Sequence, residues 1–309
     1  MREPIGILGA GVIGASWTAL FCAGGHPVRV FDPVDGAEAF VRRYVADAWP
    51  VLQDLGLTGA DAPPQFDFVQ NAKDAVKDAV FIQENVPERL PVKHALYQEI
   101  EPHLRQDAVI ATSASGLMLS ELQEAWDDPA PLILGHPFNP PHLIPLVEVM
   151  GNDHTRPGAV EVAEALYAAN GKVTIRVQKE VPGHVANRLQ AALWREAINL
   201  ARDGVASVGD IDKAIWSGPG LRWAAGGPTT LWHMAAGPGG IAEYCARYGP
   251  SFDRWWADMK DARMTPEVIR MLADGVAEAT DGRDLESLAT ARDDLITAML
   301  RATAGKPRI

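Results

Sequence analysis

The chain of 309 residues is 47% hydrophobic, enough to fill the cores of one large domain and a smaller one. Its formal charge of -12, with no basic run to offset it, argues against nucleic acid and anionic membrane as partners. No stretch approaches the roughly 20 apolar residues of a membrane span. Met1-Arg2-Glu3-Pro4 leads straight into a strand-like run rather than a signal peptide, so a cytoplasmic protein is expected. Cys22 and Cys245 both fall in helix-like stretches and read as buried thiols, with neither a disulfide framework nor a metal site expected.

In chain order, Ile5-Gly6-Ile7-Leu8 has the pattern of a buried strand entering a tight turn. Val12 to Ala23 follows with helical character and Val28-Arg29-Val30-Phe31 as a second strand, which makes one βαβ unit. The turn between them, Gly9-Ala10-Gly11-Val12-Ile13-Gly14, is a GxGxxG loop that leaves a strand and opens a helix. In that context Gly9 makes the turn, Gly11 admits a pyrophosphate close to the backbone, and Gly14 lets the helix pack. The helix N-terminus, with Val12 and Ile13 in its first turn, offers amide donors and partial positive charge to phosphates. Asp32 ends the second strand 18 residues after Gly14, where a carboxylate accepts from ribose hydroxyls and opposes a 2′-phosphate. The cofactor expected is NAD.

The alternation continues with a helix over about 37–55, strands near 66–69 and 79–83 and a helix near 91–104. Strands near 108–112, 131–135 and 144–149 follow, then a helix near 157–169 and a strand near 173–177. This order predicts an α/β fold with a Rossmann-type, doubly wound, mainly parallel sheet. At Val181-Pro182-Gly183 the spacing turns wholly helical, which places an NAD-binding domain at 1–182 and a smaller all-helical domain at 183–309. Within the second domain, Gly218 to Gly240 reads as a glycine-rich loop between helices.

His136 directly follows the apolar run Leu132-Ile133-Leu134-Gly135, at the kind of strand end where α/β sheets place catalytic groups. Glu148 shares a strand face with Ile144 and Leu146 if 142–149 is extended, and a carboxylate on an apolar face requires a partner. An imidazole titrates near neutrality, and a carboxylate beside it would fix its tautomer for proton transfer from a hydroxyl. Sequence alone does not bring the two together. His26, His94, His103, His142, His154, His184 and His233 read as structural.

These residues resemble the 3-hydroxyacyl-CoA dehydrogenase superfamily, in which an HxxNP segment is followed by a glutamate twelve residues beyond the histidine. His136, Asn139, Pro140 and Glu148 match it. Glu84-Asn85-Val86-Pro87-Glu88-Arg89-Leu90-Pro91-Val92-Lys93, Thr112-Ser113-Ala114-Ser115-Gly116-Leu117 and Pro182-Gly183-His184-Val185-Ala186-Asn187-Arg188-Leu189 extend the likeness over almost the whole chain. The resemblance implies that His136 is the acid/base and Glu148 its partner. It makes Ser115 and Asn187 partners of the reacting oxygen or the histidine, places Glu88, Lys93 and Asn139 in the cofactor pocket, and implies a homodimer formed through the helical domain. Asn187 also shares a helical stripe with Ala191, Trp194 and Ile198, a polar group on an apolar face.

Within the superfamily, Gly135-His136-Pro137-Phe138-Asn139-Pro140 and Gly218-Pro219-Gly220-Leu221-Arg222-Trp223 look like the branch acting on free hydroxy acids, typified by L-carnitine dehydrogenase. Gly227-Pro228-Thr229-Thr230 looks more like L-gulonate 3-dehydrogenase, also known as lambda-crystallin. Residues 44–66 contain Asp47, Asp54 and Asp61 but no Lys or Arg, a surface that repels CoA phosphates. The expectation is an NAD-dependent oxidation of a 3-hydroxyl on a small free hydroxy acid. Arg222 is placed at its carboxylate, and Trp223 or Trp232 at a quaternary ammonium. The alternatives are an acyl-CoA or aromatic hydroxy-acid dehydrogenase and a crystallin-like structural protein that binds NAD.

Overall fold

The computed structural model describes residues 2–306. Its first part alternates β1 (Ile5–Leu8), α1 (Val12–Ala23), β2 (Val28–Phe31), α2 (Ala37–Asp54), β3 (Asp67–Phe68), α3 (Ala72–Val76), β4 (Phe81–Glu84) and α4 (Leu90–Ile100). It continues through β5 (Val109–Thr112), α5 (Leu119–Gln123), β6 (Leu132–Pro137), β7 (Leu146–Met150), α6 (Ala159–Ala169) and β8 (Val173–Arg176). The short helices α3 and α5 carry too few residues for a periodicity to show, and the sequence pattern misses both.

The strands form one sheet in the order β3-β2-β1-β4-β5-β6-β7-β8. Neighbours from β3 to β6 all pair in parallel, each crossover carrying the chain over a face of the sheet. The chain winds outward from β1 to β3, then returns to β4 on the other side, so β1 and β4 flank the switch point where such sheets bind ligands. Between β6 and β7 only residues 138–145 intervene, too few for a crossover, and β7 runs antiparallel to β6. β8 is parallel to β7.

Strand side chains alternate between two cores. Ile7, Phe81, Val109 and Ile133 point into a cluster with Trp17 and Phe21 of α1, Val41 and Leu52 of α2, and Tyr167 of α6. Leu8, Ile82, Ile110 and Leu134 point the other way, against Val76, Tyr97, Ile100 and Leu122. Burial on both faces explains why the strands read as continuous apolar runs.

The remaining helices are α7 (Ala186–Arg202), α8 (Val208–Ser217), α9 (Pro219–Trp223), α10 (Pro228–Ala235), α11 (Gly240–Asp258), α12 (Pro266–Ala279) and α13 (Leu285–Thr303). Contacts within the chain separate one unit, ending at Asn187 and including Ile296–Arg301, from another that begins at Arg188. The expected loop from Gly218 to Gly240 is largely helical. Pro219 and Pro228 start α9 and α10, with Gly218 and Gly227 as the residues before them. Proline in the first turn nucleates a helix at a site where its missing N–H does no harm, and this outweighs the neighbouring glycines. Cys22 is buried as expected and its thiol is pushed up to about 12 by burial, but Cys245 is exposed on α11. No helix among the described residues is long and apolar enough to cross a membrane.

Candidate active site

Strands β1, β2, β4, β5 and β6 end at the same edge of the sheet, and the chemistry-bearing residues of the first unit collect there. At the end of β1, Gly9 adopts φ +85°, and a side chain on it would lie 2.7 Å from the Asn85 backbone. A Cβ on Gly14 would fall 1.9 Å from the Gly9 carbonyl oxygen, so helix and turn can approach only without one. Gly11 is the opposite case, with nothing within 4 Å of where its Cβ would be. That open space adjoins the start of α1, whose N-cap is Gly11 itself and whose first amides no side chain caps. Val12 is exposed and Ile13 half-buried in that first turn.

Asp32 closes the far side of this loop. Its Oδ2 accepts the Ala10 N–H at 2.6 Å and its Oδ1 accepts the Val34 N–H at 2.9 Å. A carboxylate has about four lone-pair positions, so the half-buried Asp32 retains capacity for ribose hydroxyls. An uncapped helix start, an open glycine and a fixed carboxylate fit a dinucleotide.

At the end of β6, His136 is paired in register with Glu148 of β7. Cross-strand partners share a face, and His136 Nδ1 lies 2.8 Å from Glu148 Oε2. Glu148 is fully buried, and its other oxygen accepts the N–H groups of Val185 and Ala186, both at 2.9 Å. These donors fix the carboxylate, the carboxylate fixes the ring, and the Nδ1 proton leaves Nε2 as the basic nitrogen. Burial holds the imidazole below its ordinary pKa, opposed by the hydrogen bond and charge of Glu148.

Other expected residues occupy different situations. Ser115 does sit at this edge, but its Oγ donates to Glu88 Oε2 at 2.6 Å, while Glu88 Oε1 accepts the amides of Ser115, Gly116 and Leu117. Burial raises the Glu88 carboxyl, yet these hydrogen bonds outweigh it and hold the group below its usual range. Lys93, expected in the cofactor pocket, is 1% exposed and donates to Glu84 Oε1 at 2.6 Å. Glu84 lies inside the sheet and also accepts from Tyr97 and Thr112 at 2.7 Å each. Its buried carboxylate is thereby paired with the ammonium, which uses one of the three Lys93 donors.

Asn139 is exposed in the loop after β6, and Asn187 is half-buried in the first turn of α7, next to the Ala186 N–H that grips Glu148. Of the stripe below Asn187, Ala191 and Trp194 are exposed and Ile198 is buried. Arg222 and Trp223 belong to the second unit, exposed on α9 rather than on a flexible loop.

The structure adds residues that sequence reading left aside. His184 is buried, its ring centroid 5.4 Å from that of His136, and its Nε2 lies 3.2 Å from the Ala114 carbonyl oxygen. Its place directly after Pro182-Gly183, ahead of the helix that anchors Glu148, was the available signal. The loop carrying Asn139 is anchored twice. His142 N–H donates to Ser16 Oγ at 2.8 Å, and Lys172 donates to the carbonyls of Pro141 and Ile144. Burial without a counter-charge pulls Lys172 down to about 7.

Residues 4–181 match the model of the 3-hydroxyacyl-CoA dehydrogenase NAD binding domain, and residues 183–264 that of the 3-hydroxyacyl-CoA dehydrogenase C-terminal domain. The chain belongs to the 3-hydroxyacyl-CoA dehydrogenase family. It is an NAD-dependent dehydrogenase. It is similar to L-carnitine dehydrogenase of Streptomyces griseus, 42% identical over 98% of this chain and 91% of the relative. L-carnitine dehydrogenase of a Pseudomonas species is also 42% identical, over 96% and 92%. Among solved structures, 5-formyl-3-hydroxy-2-methylpyridine 4-carboxylic acid 5-dehydrogenase, described as an NAD+ dependent dismutase, superposes with a TM-score of 0.83 at 29% identity, over 99% of this chain and 100% of that one. (S)-3-hydroxybutyryl-CoA dehydrogenase of Ralstonia eutropha shares the fold, with a TM-score of 0.64 at 22% identity over 89% and 95%.

Proposed function

We propose that the dehydrogenase oxidises the 3-hydroxyl of a small free hydroxy acid, of the carnitine or gulonate kind, to the 3-keto acid, with His136 as general base. The observation that carries this reading is the His136–Glu148 pair, held 2.8 Å apart at the sheet edge that also carries the glycine loop. When bound, NAD supplies the hydride acceptor. His136 Nε2 takes the hydroxyl proton as the C3 hydrogen leaves with its electron pair, and Glu148 stabilises the imidazolium. Because Ser115 donates its proton to Glu88, it serves as an acceptor that aims the substrate hydroxyl rather than as a donor to developing charge. Asn187 is left as the amide donor to the reacting oxygen.

The carnitine dehydrogenase relatives support a free acid, as does the acidic 44–66 segment. Gly227-Pro228-Thr229-Thr230 favours a polyhydroxy acid as a second reading. Arg222 remains the residue assigned to the carboxylate and Trp223 to an ammonium, on the likeness of Gly218–Trp223 to the carnitine enzymes. The assembly is assigned as a cytoplasmic homodimer, with 1–182 as cofactor domain and 183–309 as substrate and dimerisation domain. A panel of carnitine, gulonate, 3-hydroxybutyrate and 3-hydroxybutyryl-CoA, followed by NADH absorbance, tests the reading. Turnover should be highest with carnitine or gulonate, and preference for the thioester overturns it.

A further inference from the structure

His184 combines two features that are separately uncommon. Its backbone is left-handed, with φ +49°, a conformation that side chains bearing a Cβ rarely adopt. Its ring is 2% exposed, and Nδ1 is buried with no hydrogen-bond partner among the described residues. The backbone conformation precedes the amides of Val185 and Ala186 that hold Glu148. A glycine would provide that turn without strain, so the turn alone does not call for an imidazole.

The ring's hydrogen bonding is set by its neighbour. A carbonyl can only accept, so the contact between Nε2 and Ala114 O places the proton on Nε2. In the neutral ring Nδ1 is then a bare acceptor, and a buried acceptor without a donor calls for a functional explanation. It belongs to a ring 5.4 Å from that of His136, at the catalytic edge.

We propose that His184 is a second imidazole of the active site, whose Nδ1 accepts a hydrogen bond from a hydroxyl hydrogen held beside His136. The proposal rests on the hydroxy-acid reading above. The reacting hydroxyl has one hydrogen, which goes to His136, so the donor to His184 is a different one. It comes from a hydroxyl on a neighbouring carbon of the substrate or from a water bound with it.

The test uses full-length protein carrying 15N-histidine, with His184 assigned by its absence from the spectrum of His184→Gln. NADH is added first, then gulonate, which has hydroxyls beside the reacting carbon, or carnitine, which has none. The Nδ1 resonance of His184 should move upfield in the complex with gulonate. The same movement with carnitine identifies water as the donor, and movement with gulonate alone identifies the substrate. A His184 resonance unmoved by either acid while His136 responds overturns the proposal. If His136 also stays unmoved, it is the hydroxy-acid reading that has failed. In kinetics, His184→Phe should raise the KM for the acid about 3- to 10-fold, the worth of one neutral hydrogen bond. The KM for NAD should stay within about twofold, and His184→Gln should recover part of the loss. Equal changes in both constants without rescue would mark His184 as structural and overturn the assignment.

Discussion

In the first unit the sheet lies between two layers of helix that bury its central strands, β1 and β4 to β6, on both faces. In the second, the buried apolar side chains among the described residues are Ile198, Ile211 and Val268, while Trp216, Leu221, Trp255 and Trp256 are exposed. Trp255 and Trp256 leave 54% and 63% of their surface open, although both rings meet Phe252, which in turn meets Tyr244 on the same helix. Exposed apolar surface on this scale marks a contact face. The first unit buries most of its large apolar side chains within itself. The second leaves large apolar side chains open, and these are the surface on which the homodimer proposed above would form.

The comparison breaks most sharply at His136. His136→Ala should lower turnover by about 100- to 10,000-fold, the span associated with a general base. NAD affinity by fluorescence titration and the sedimentation coefficient should stay unchanged, since neither the glycine loop nor the second unit depends on that ring. A loss of association in this variant would show that the two units are not separable.

Lys93→Met probes the first unit's fold. Leaving Glu84 charged and unpaired inside the sheet should cost about 3–5 kcal/mol in urea unfolding. Trp255→Glu with Trp256→Glu should weaken self-association about 30-fold or more in analytical ultracentrifugation, as for loss of an interface hot spot. If the protein is monomeric at micromolar concentration before any substitution, the homodimer is wrong.

The smallest expected effect is a pH shift. Burial lowers the His136 pKa, so the acid limb of kcat/KM should lie below pH 6.5, where protonation removes the base. Glu148 raises that pKa, and Glu148→Gln should move the limb to still lower pH while reducing kcat. Movement to higher pH would contradict the pairing.

Much of the first unit is legible in the sequence because parallel strands buried on both faces are uninterrupted apolar runs, and because Gly9 and Gly14 sit where sterics require them. His136 and Glu148 can be singled out as chemically unusual. Their contact depends on β7 reversing, which the sequence reveals only through the shortness of the loop before it. What escapes is the choice among partners. Nothing in the spacing tells that Lys93 turns to Glu84, that Ser115 gives its proton to Glu88, or that His184 lies against His136, because each depends on which polar groups burial leaves to be satisfied. The helices inside Gly218–Gly240 escape for a local reason, since the starting prolines outrank the glycines around them.

The reversal between β6 and β7 also restricts how this scaffold can evolve. An insertion or deletion in 138–145 that slid β7 by one residue would turn Glu148 to the opposite face of the sheet and present Val147 or Val149 to His136. A slide of two would restore the face but carry the carboxylate about 6.7 Å along the strand, beyond hydrogen-bond reach. The anchors from Ser16 and Lys172 lie within that same stretch, at His142, Pro141 and Ile144. Its length is thus held fixed by the chemistry at one end, and descendants of this enzyme can vary the stretch by substitution but not by insertion or deletion.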